Sequence, residues 1–213
     1  MTTDARIEAL ADPLVRDLAR GGQVRSLARN TVFIQEGEKG ESLYVILSGR
    51  VKVFVADADG REMVLDFHGP GDYVGEMSLD GRPRSASVMA VEPTVCSVLT
   101  RDALRAAIVA NPDLAMNLIC TLIERARIAT ENVRNLALMD VYGRVARLLL
   151  SLAVEQTDGR MVVPERLTQQ DIADRVGASR DMVSRIFKDL TTGGYVTVAD
   201  RQITINRKPP ARW

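Results

Sequence analysis

Residues 75–88 read GEMSLDGRPRSASV. They connect two apolar runs, MVLDF (63–67) and VMAVEPTVCSVL (88–99), that read as strands. The connection carries Glu76, Arg82 and Arg84, and the hydroxyls of Ser78, Ser85 and Ser87. A tight hairpin needs only two turn residues, such as Asn-Gly or Asp-Gly. A connection holding a carboxylate, two guanidiniums and three hydroxyls has the chemistry to bind an anion and a hydroxyl-bearing ligand.

A second concentration of such groups lies near the C-terminus. On a helix from Arg180 to Leu190, Arg180, Asp181, Ser184, Arg185 and Lys188 recur at i, i+1, i+4, i+5 and i+8, one continuous polar stripe. Val183, Ile186, Phe187 and Leu190 fall on the other side and can pack on Ile172 and Val176. The planar fork of arginine matches guanine O6 and N7 in the major groove, and an acid can accept from cytosine N4. A polar helix face is often only solvated. Here Thr168-Gln-Gln-Asp171 is a capping-box pattern opening a preceding helix, Gly177 ends that helix, and Ser179 caps the next. Two helices around a short Gly-containing turn make a helix-turn-helix. YVTV-ADRQ-ITIN behind it reads as a hairpin, a wing. The stripe therefore points to DNA readout, with Ser179, Thr168, Gln170 and Lys188 placed for phosphate contacts.

Other elements must position these groups. Residues 7–20 read as a helix, with Pro13 following Asp12. From Thr31 to Leu99 the apolar period is two, cut by EGEKGE, LSGR and DADGRE, so short strands of a sandwich or barrel are expected. RDALRAAIVA (101–110) reads as a helix, and Asn111-Pro112-Asp113 restarts another. Leu114 to Leu138 contains no Gly or Pro. Its apolar residues Leu118, Leu122, Ala126, Ala129, Val133 and Leu136 step by three or four among polar neighbours, a narrow seam that wants a partner helix. The competing reading is a core helix lying on the barrel. VYGRVARLLLSLAVE is then an amphipathic helix, MVV (161–163) a strand, and KPPARW a frayed tail.

Composition narrows the class. Hydrophobic residues at 46% suffice for a packed core. The chain of 213 residues has net charge zero, yet residues 138–213 hold 12 Lys+Arg against 9 Asp+Glu, and the remainder 16 against 19. That asymmetry has the sign of an acidic sensor joined to a basic DNA-binding part. Cys96 and Cys120 lie far apart in apolar stretches without a CxxC motif, so they read as two buried thiols of a cytoplasmic protein, not as a metal site. MTTDARIEAL lacks the apolar core of a signal peptide, and no apolar run is long enough to span a membrane. A single histidine, His68, cannot furnish the ligand cluster of a metal enzyme on a cupin-like barrel, so no enzyme is expected.

Taken together, FIQEGEKGESLYVILSGRVKVFV, GDYVGEMSL, PRSASV, NPDLAMNL, ENVRNLALMDVYGRVARLLL and SRDMVSRIFKDL resemble the cAMP receptor protein/FNR family of bacterial transcription regulators over nearly the whole chain. The resemblance implies an α+β fold: an N-terminal cyclic-nucleotide-binding β-roll (double-stranded β-helix), a long dimerisation helix and a C-terminal winged helix-turn-helix. It implies a sensor domain at 1–110, the dimerisation helix at 111–138 and the DNA-binding domain at 139–213. It also implies a homodimer on palindromic double-stranded DNA, contact with RNA polymerase and control by a small effector, with no other cofactor.

Within that frame the opening stretch is the phosphate-binding cassette. The resemblance gives Gly75, Glu76, Met77 and Ser78 to a short helical turn facing a phosphate. Arg84 and Ser85 would hold the phosphate and Glu76 a ribose hydroxyl. Val53 and Leu65 would line the base, with Thr130 reaching it from the long helix. Two departures matter. The loop from Glu76 to Arg84 is shorter than in the cAMP receptor protein, and Ala129-Thr130 stands where that protein has two adjacent hydroxyl residues. Losing one hydrogen-bonding partner weakens adenine selectivity. Cyclic di-GMP therefore competes with cAMP as the effector, with Arg50, Arg82 and Arg127 as candidate contacts. Other readings are a vestigial cassette shaped by an Arg84–Glu76 salt bridge, with another effector or none, and a nucleotide-binding module without DNA. An iron–sulfur branch needs a cysteine cluster near the N-terminus and a haem branch needs axial ligands. His68 in FHGPGD reads as a solvated turn residue.

Overall fold

The computed structural model describes residues 2–209; the Ser78 side chain and the last four residues of the expected tail lie outside the described residues. The described chain folds into two compact units. One holds the residues up to Asp57 and Val64–Arg127, the other Ala58–Met63 and the residues from Ile128.

The first unit opens with two short helices, α1 (Thr3–Glu8) and α2 (Pro13–Arg20), where one helix over 7–20 was expected. The break has a local cause. A residue before proline is pushed out of the helical region, and Asp12 sits at φ −84°, ψ 120° with its carboxylate accepting from Leu14 N–H. Eight strands follow: β1 (Gln23–Leu27), β2 (Val32–Ile34), β3 (Leu43–Ser48), β4 (Val51–Ala56), β5 (Glu62–His68), β6 (Tyr73–Val74), β7 (Ser87–Ala90) and β8 (Thr94–Leu99). They form two four-stranded sheets, ordered β1-β8-β3-β6 and β2-β7-β4-β5. The two sheets make up the β-roll that the resemblance implied. One core gathers Leu18, Leu43, Val45, Leu47 and Leu99; another gathers Ile34, Ile46, Val51, Val88 and Cys96.

Helix α3 (Arg101–Ala110) leads into α4 (Asp113–Leu138), 26 residues long. Leu114 and the half-buried Leu118 anchor the start of α4 on the first core, and Asn117 Nδ2 donates to Asp12 Oδ2 at 2.8 Å. Among the described residues, no single helix is long and apolar enough to cross a membrane.

The second unit continues with α5 (Val141–Leu152), capped by Asp140. The helix stops three residues earlier than its pattern suggested. Val154–Glu155 instead form β9, pairing with β10 (Met161–Val163). Helices α6 (Gln169–Val176) and α7 (Arg180–Thr192) are followed by β11 (Val196–Ala199) and β12 (Gln202–Ile205), in a sheet ordered β11-β12-β10-β9. The wing turns on Asp200 and Arg201, both with positive φ (49° and 63°), as a two-residue primed turn requires. Leu149, Ile172, Val176, Val183, Phe187, Leu190 and Ile203 share one core.

Candidate functional site

Strand β6 ends at Val74 and is followed by Gly75, whose φ is +91°. A side chain there would stand 2.7 Å from both Arg84 Nη1 and the Ser42 carbonyl, so only glycine fits. A 3₁₀ turn, Glu76–Ser78, follows. The far end of the connection returns to the loop before β3: Arg84 N–H donates to Glu38 O and Gly37 N–H to Arg84 O, both at 2.9 Å.

These contacts bury the Arg84 side chain. Its Nη1 donates to Gly75 O at 2.7 Å and its Nη2 to Ser42 O at 2.9 Å. A side chain at Gly40 would press on the same guanidinium at 3.0 Å. Burial lowers the pKa of Arg84, opposed by Tyr44 and Glu76, but an arginine remains charged. Both acceptors are neutral carbonyls, and among the described residues no carboxylate pairs with it. A buried positive charge held by two neutral acceptors is incompletely compensated. It fits an anion.

Glu76 does not pair with Arg84, which removes the salt bridge expected to shape a vestigial loop. Its Oε1 accepts from Arg125 Nη1 of α4 at 2.7 Å, with 20% of the Arg125 and 10% of the Glu76 side chain exposed. Arg125 Nη2 donates to Tyr73 O at 2.6 Å, and the guanidinium lies 5.1 Å from the Tyr73 ring centroid. Arg125 is the residue that sequence reasoning missed. It stands in a run of polar residues on α4, where nothing separates a buried pair from a solvated charge.

The other cassette residues divide. Ser85 is exposed and its hydroxyl lies 3.4 Å from Met77 Sδ; Met77 is exposed as well. Ser87 is buried and accepts from Glu36 N–H at 3.0 Å, a structural role. Arg82 is exposed and pairs with Asp80 at 3.4 Å. Arg50 lies over the Phe67 ring at 4.6 Å. On the second sheet Val53 is half-buried and Leu65 exposed. Thr130 is exposed on α4 within the second unit, and Arg127 is exposed on the same helix.

Two expectations about other reactive groups need correction. His68 is not a solvated turn residue. It ends β5, is 8% exposed, and its ring nitrogens lie 3.7 Å from Asp66 and from Asp72. Strand pairing carries the chain into the interior one residue beyond the point where the Gly-Pro-Gly sequence suggested a turn. Cys96 is buried as expected, its pKa pushed up by burial to about 12, but Cys120 is exposed on α4. Among the described residues no group of three or more His, Cys, Asp or Glu side chains could hold a metal ion.

In the second unit, Val183, Ile186, Phe187 and Leu190 are buried, while Arg180, Asp181, Ser184, Arg185 and Lys188 are all exposed along α7. Among the described residues none of those charged groups forms an ion pair, so Asp181 does not hold Arg185. The caps are made. Thr168 Oγ1 accepts from Asp171 N–H at 3.1 Å, and Ser179 Oγ from Met182 N–H at 3.2 Å. Gln170 Nε2 donates to Asp174 Oδ1 at 2.6 Å.

Of the expected seam on α4, Leu122, Ala126, Ala129, Val133 and Leu136 are exposed, whereas Leu118 packs on the first unit's core. Met116, Ile119, Ile123 and Ile128 on the same helix are exposed as well. Met116, Ile119, Ile123, Ala126, Thr130, Val133 and Ala137 alternate steps of three and four and are all exposed. That is the spacing of a two-helix seam.

Two family models match. The cyclic nucleotide-binding domain covers residues 24–111 and the Crp-like helix-turn-helix domain residues 143–209. Fold and domains define a DNA-binding transcription regulator carrying a cyclic-nucleotide-binding domain, not an enzyme. A CRP-like cAMP-activated global transcriptional regulator of Mycobacterium tuberculosis is 38% identical over 181 residues, 83% of this chain and 80% of that one. The cAMP-activated global transcriptional regulator CRP of Escherichia coli is 34% identical over 203 residues, 91% and 94%. The solved structure of the c-di-GMP responsive global regulator CLP of Xanthomonas campestris matches with a TM-score of 0.80 at 24% identity, covering 90% of this chain and 97% of that one. The chain belongs to the Crp/Fnr family of transcription regulators.

Proposed function

We propose that the chain acts as a homodimer whose binding to a palindromic operator is controlled by cAMP held at residues 75–85. The sensor would occupy residues 1–110, the dimerisation helix 111–138 and the DNA-binding domain 139–213. The observation that carries the effector site is Arg84: a buried guanidinium, bonded among the described residues only to neutral carbonyls, in a cradle lined by Gly40 and Gly75. A phosphate would supply the missing negative charge. Ser85 adds a hydroxyl donor. Glu76 keeps acceptor capacity beyond its bond to Arg125, since a carboxylate offers about four lone-pair sites, and can take a ribose hydroxyl.

The names of the two relatives above support cAMP as the nucleotide. Arg82 and Arg50, which would suit the second phosphate and guanine of cyclic di-GMP, have partners in Asp80 and Phe67. Calorimetric titration with cAMP and, separately, cyclic di-GMP tests the reading. Binding of cAMP is expected. Binding of cyclic di-GMP alone overturns the effector's identity but keeps the anion site; binding of neither overturns both.

The exposed stripe on α7 would read bases in the major groove. In a dimer the two copies of α7 must lie about one DNA turn, ~34 Å, apart. Arg180→Ala is expected to weaken operator binding by roughly 1–3 kcal/mol and to change binding to unrelated DNA much less. A gel shift on both DNAs measures this, and unchanged operator affinity would remove Arg180 from the readout. RNA polymerase is the further partner the family implies, met by surface loops such as residues 155–160 in the cytoplasm.

A further inference from the structure

Arg144 lies on the first turn of α5, half-buried. Its guanidinium is bonded to three main-chain carbonyls. Nη1 donates to Met139 O at 2.9 Å, at the junction of α4 and α5. Nε donates to Val176 O at 2.8 Å, and Nη2 reaches Gly177 O at 3.4 Å. The last two carbonyls close α6, where main-chain oxygens lack helical donors and the helix dipole is negative. Gly177 is left-handed, with φ 62°, and leads through Ala178 to Ser179, the cap of α7. One planar group therefore spans from the end of α4 to the turn that aims the recognition helix.

The next turn of α5 is tied back to α4. Arg147 Nη1 donates to Asn135 Oδ1 at 3.0 Å, and its other terminal nitrogen pairs with Glu131. Asp140 caps α5 through Gly143 N–H at 2.7 Å. The apolar core of Leu149, Ile172, Val183 and Leu190 holds α5, α6 and α7 together without Arg144. Apolar packing is non-directional, whereas a rigid guanidinium fork on three carbonyls fixes an angle.

We propose that Arg144 is a positioning residue for sequence readout. It sets the direction of α7 relative to the α4–α5 junction through Met139 O, the guanidinium and the carbonyls of residues 176 and 177. The inference rests on the DNA-readout role of α7 and adds the element that aims it.

The test uses the full chain and an operator selected by the unaltered protein from a random palindromic library. Affinity is measured on that operator and on unrelated DNA, at one salt concentration, for Arg144→Met and Arg144→Lys, together with each melting temperature. Methionine keeps the length without donors; lysine keeps the charge without the fork. Arg144→Met is expected to lose about tenfold or more on the operator, the loss that one charged hydrogen bond carries. Binding to unrelated DNA, governed by phosphate contacts, should change by no more than about twofold. Arg144→Lys should fall between. Equal loss on both DNAs with a lowered melting temperature would make Arg144 an ordinary stabilising contact and overturn the proposal, as would unchanged operator affinity. If Arg144→Met does not fold, the same comparison is decided by Arg144→Lys. Failure of the unaltered protein to select any operator overturns the readout reading, and this inference with it, before either variant is made.

Discussion

Arg84→Ala is expected to abolish the calorimetric signal for cAMP while leaving a folded protein. A buried guanidinium–phosphate contact is charge-assisted on both sides, and losing a charged hydrogen bond costs about 1.5–3 kcal/mol, roughly a tenfold to hundredfold rise in Kd per bond. The truncation also leaves the carbonyls of Gly75 and Ser42 without the donors that now reach them at 2.7 and 2.9 Å. That destabilises the cassette, while removal of a desolvated charge acts in the opposite direction. The net stability change should therefore be smaller than the affinity change. Arg84→Lys separates the two contributions: it keeps a positive charge but cannot serve both carbonyls and a phosphate in one plane. Unaltered nucleotide binding by Arg84→Ala would show that the effector sits elsewhere. A broad loss of the thermal transition would place Arg84 in stability alone.

The second large effect should come from α4. Ile123 is 48% exposed near the middle of the ladder that runs from Met116 to Ala137. In a homodimer, Ile123→Glu places two carboxylates in the seam. Burying an unpaired charge costs several kcal/mol, so a rise of about two orders of magnitude in the dimer dissociation constant is expected. Analytical ultracentrifugation measures it, and far-UV circular dichroism should be unchanged. Palindromic DNA should then bind as two weak half-sites. A variant that still sediments as a dimer at micromolar concentration would remove Ile123 from the interface.

The elements most legible in the sequence are those whose causes are local. The capping box at Thr168, the left-handed Gly177 and the Asp200-Arg201 turn are each specified within four residues, and each forms where expected. The polar stripe on α7 follows from periodicity alone. Of the apolar runs flanking the cassette, MVLDF forms β5, whereas VMAVEPTVCSVL divides into β7 and β8 around residues 91–93, and the two-residue β6 next to Gly75 is too short to leave a pattern.

What escaped reading depends on partners distant in sequence. Arg125 and Glu76 are 49 positions apart, and no local pattern distinguishes Arg125 from Arg127. His68 is buried by the folding of the roll, not by its neighbours in the chain. The seam was blurred for a related reason. Leu118 and Ile119 are both apolar, and one packs on the sensor core while the other is exposed; hydrophobicity does not say which surface a residue faces. The early end of α5 reflects competition, since Val154 gains a strand partner in β10.

The unequal burial of the two cysteines makes this chain a ready spectroscopic probe. Thiol reagents attack the accessible thiolate. Cys96, enclosed between strands with its pKa near 12, resists them, while Cys120 stands exposed on α4. A maleimide dye or nitroxide added to the unmodified protein should therefore mark one defined point on the long helix of each chain. Two chains associated along that helix would then carry two labels, whose separation can be followed as nucleotide and DNA are added without introducing any cysteine.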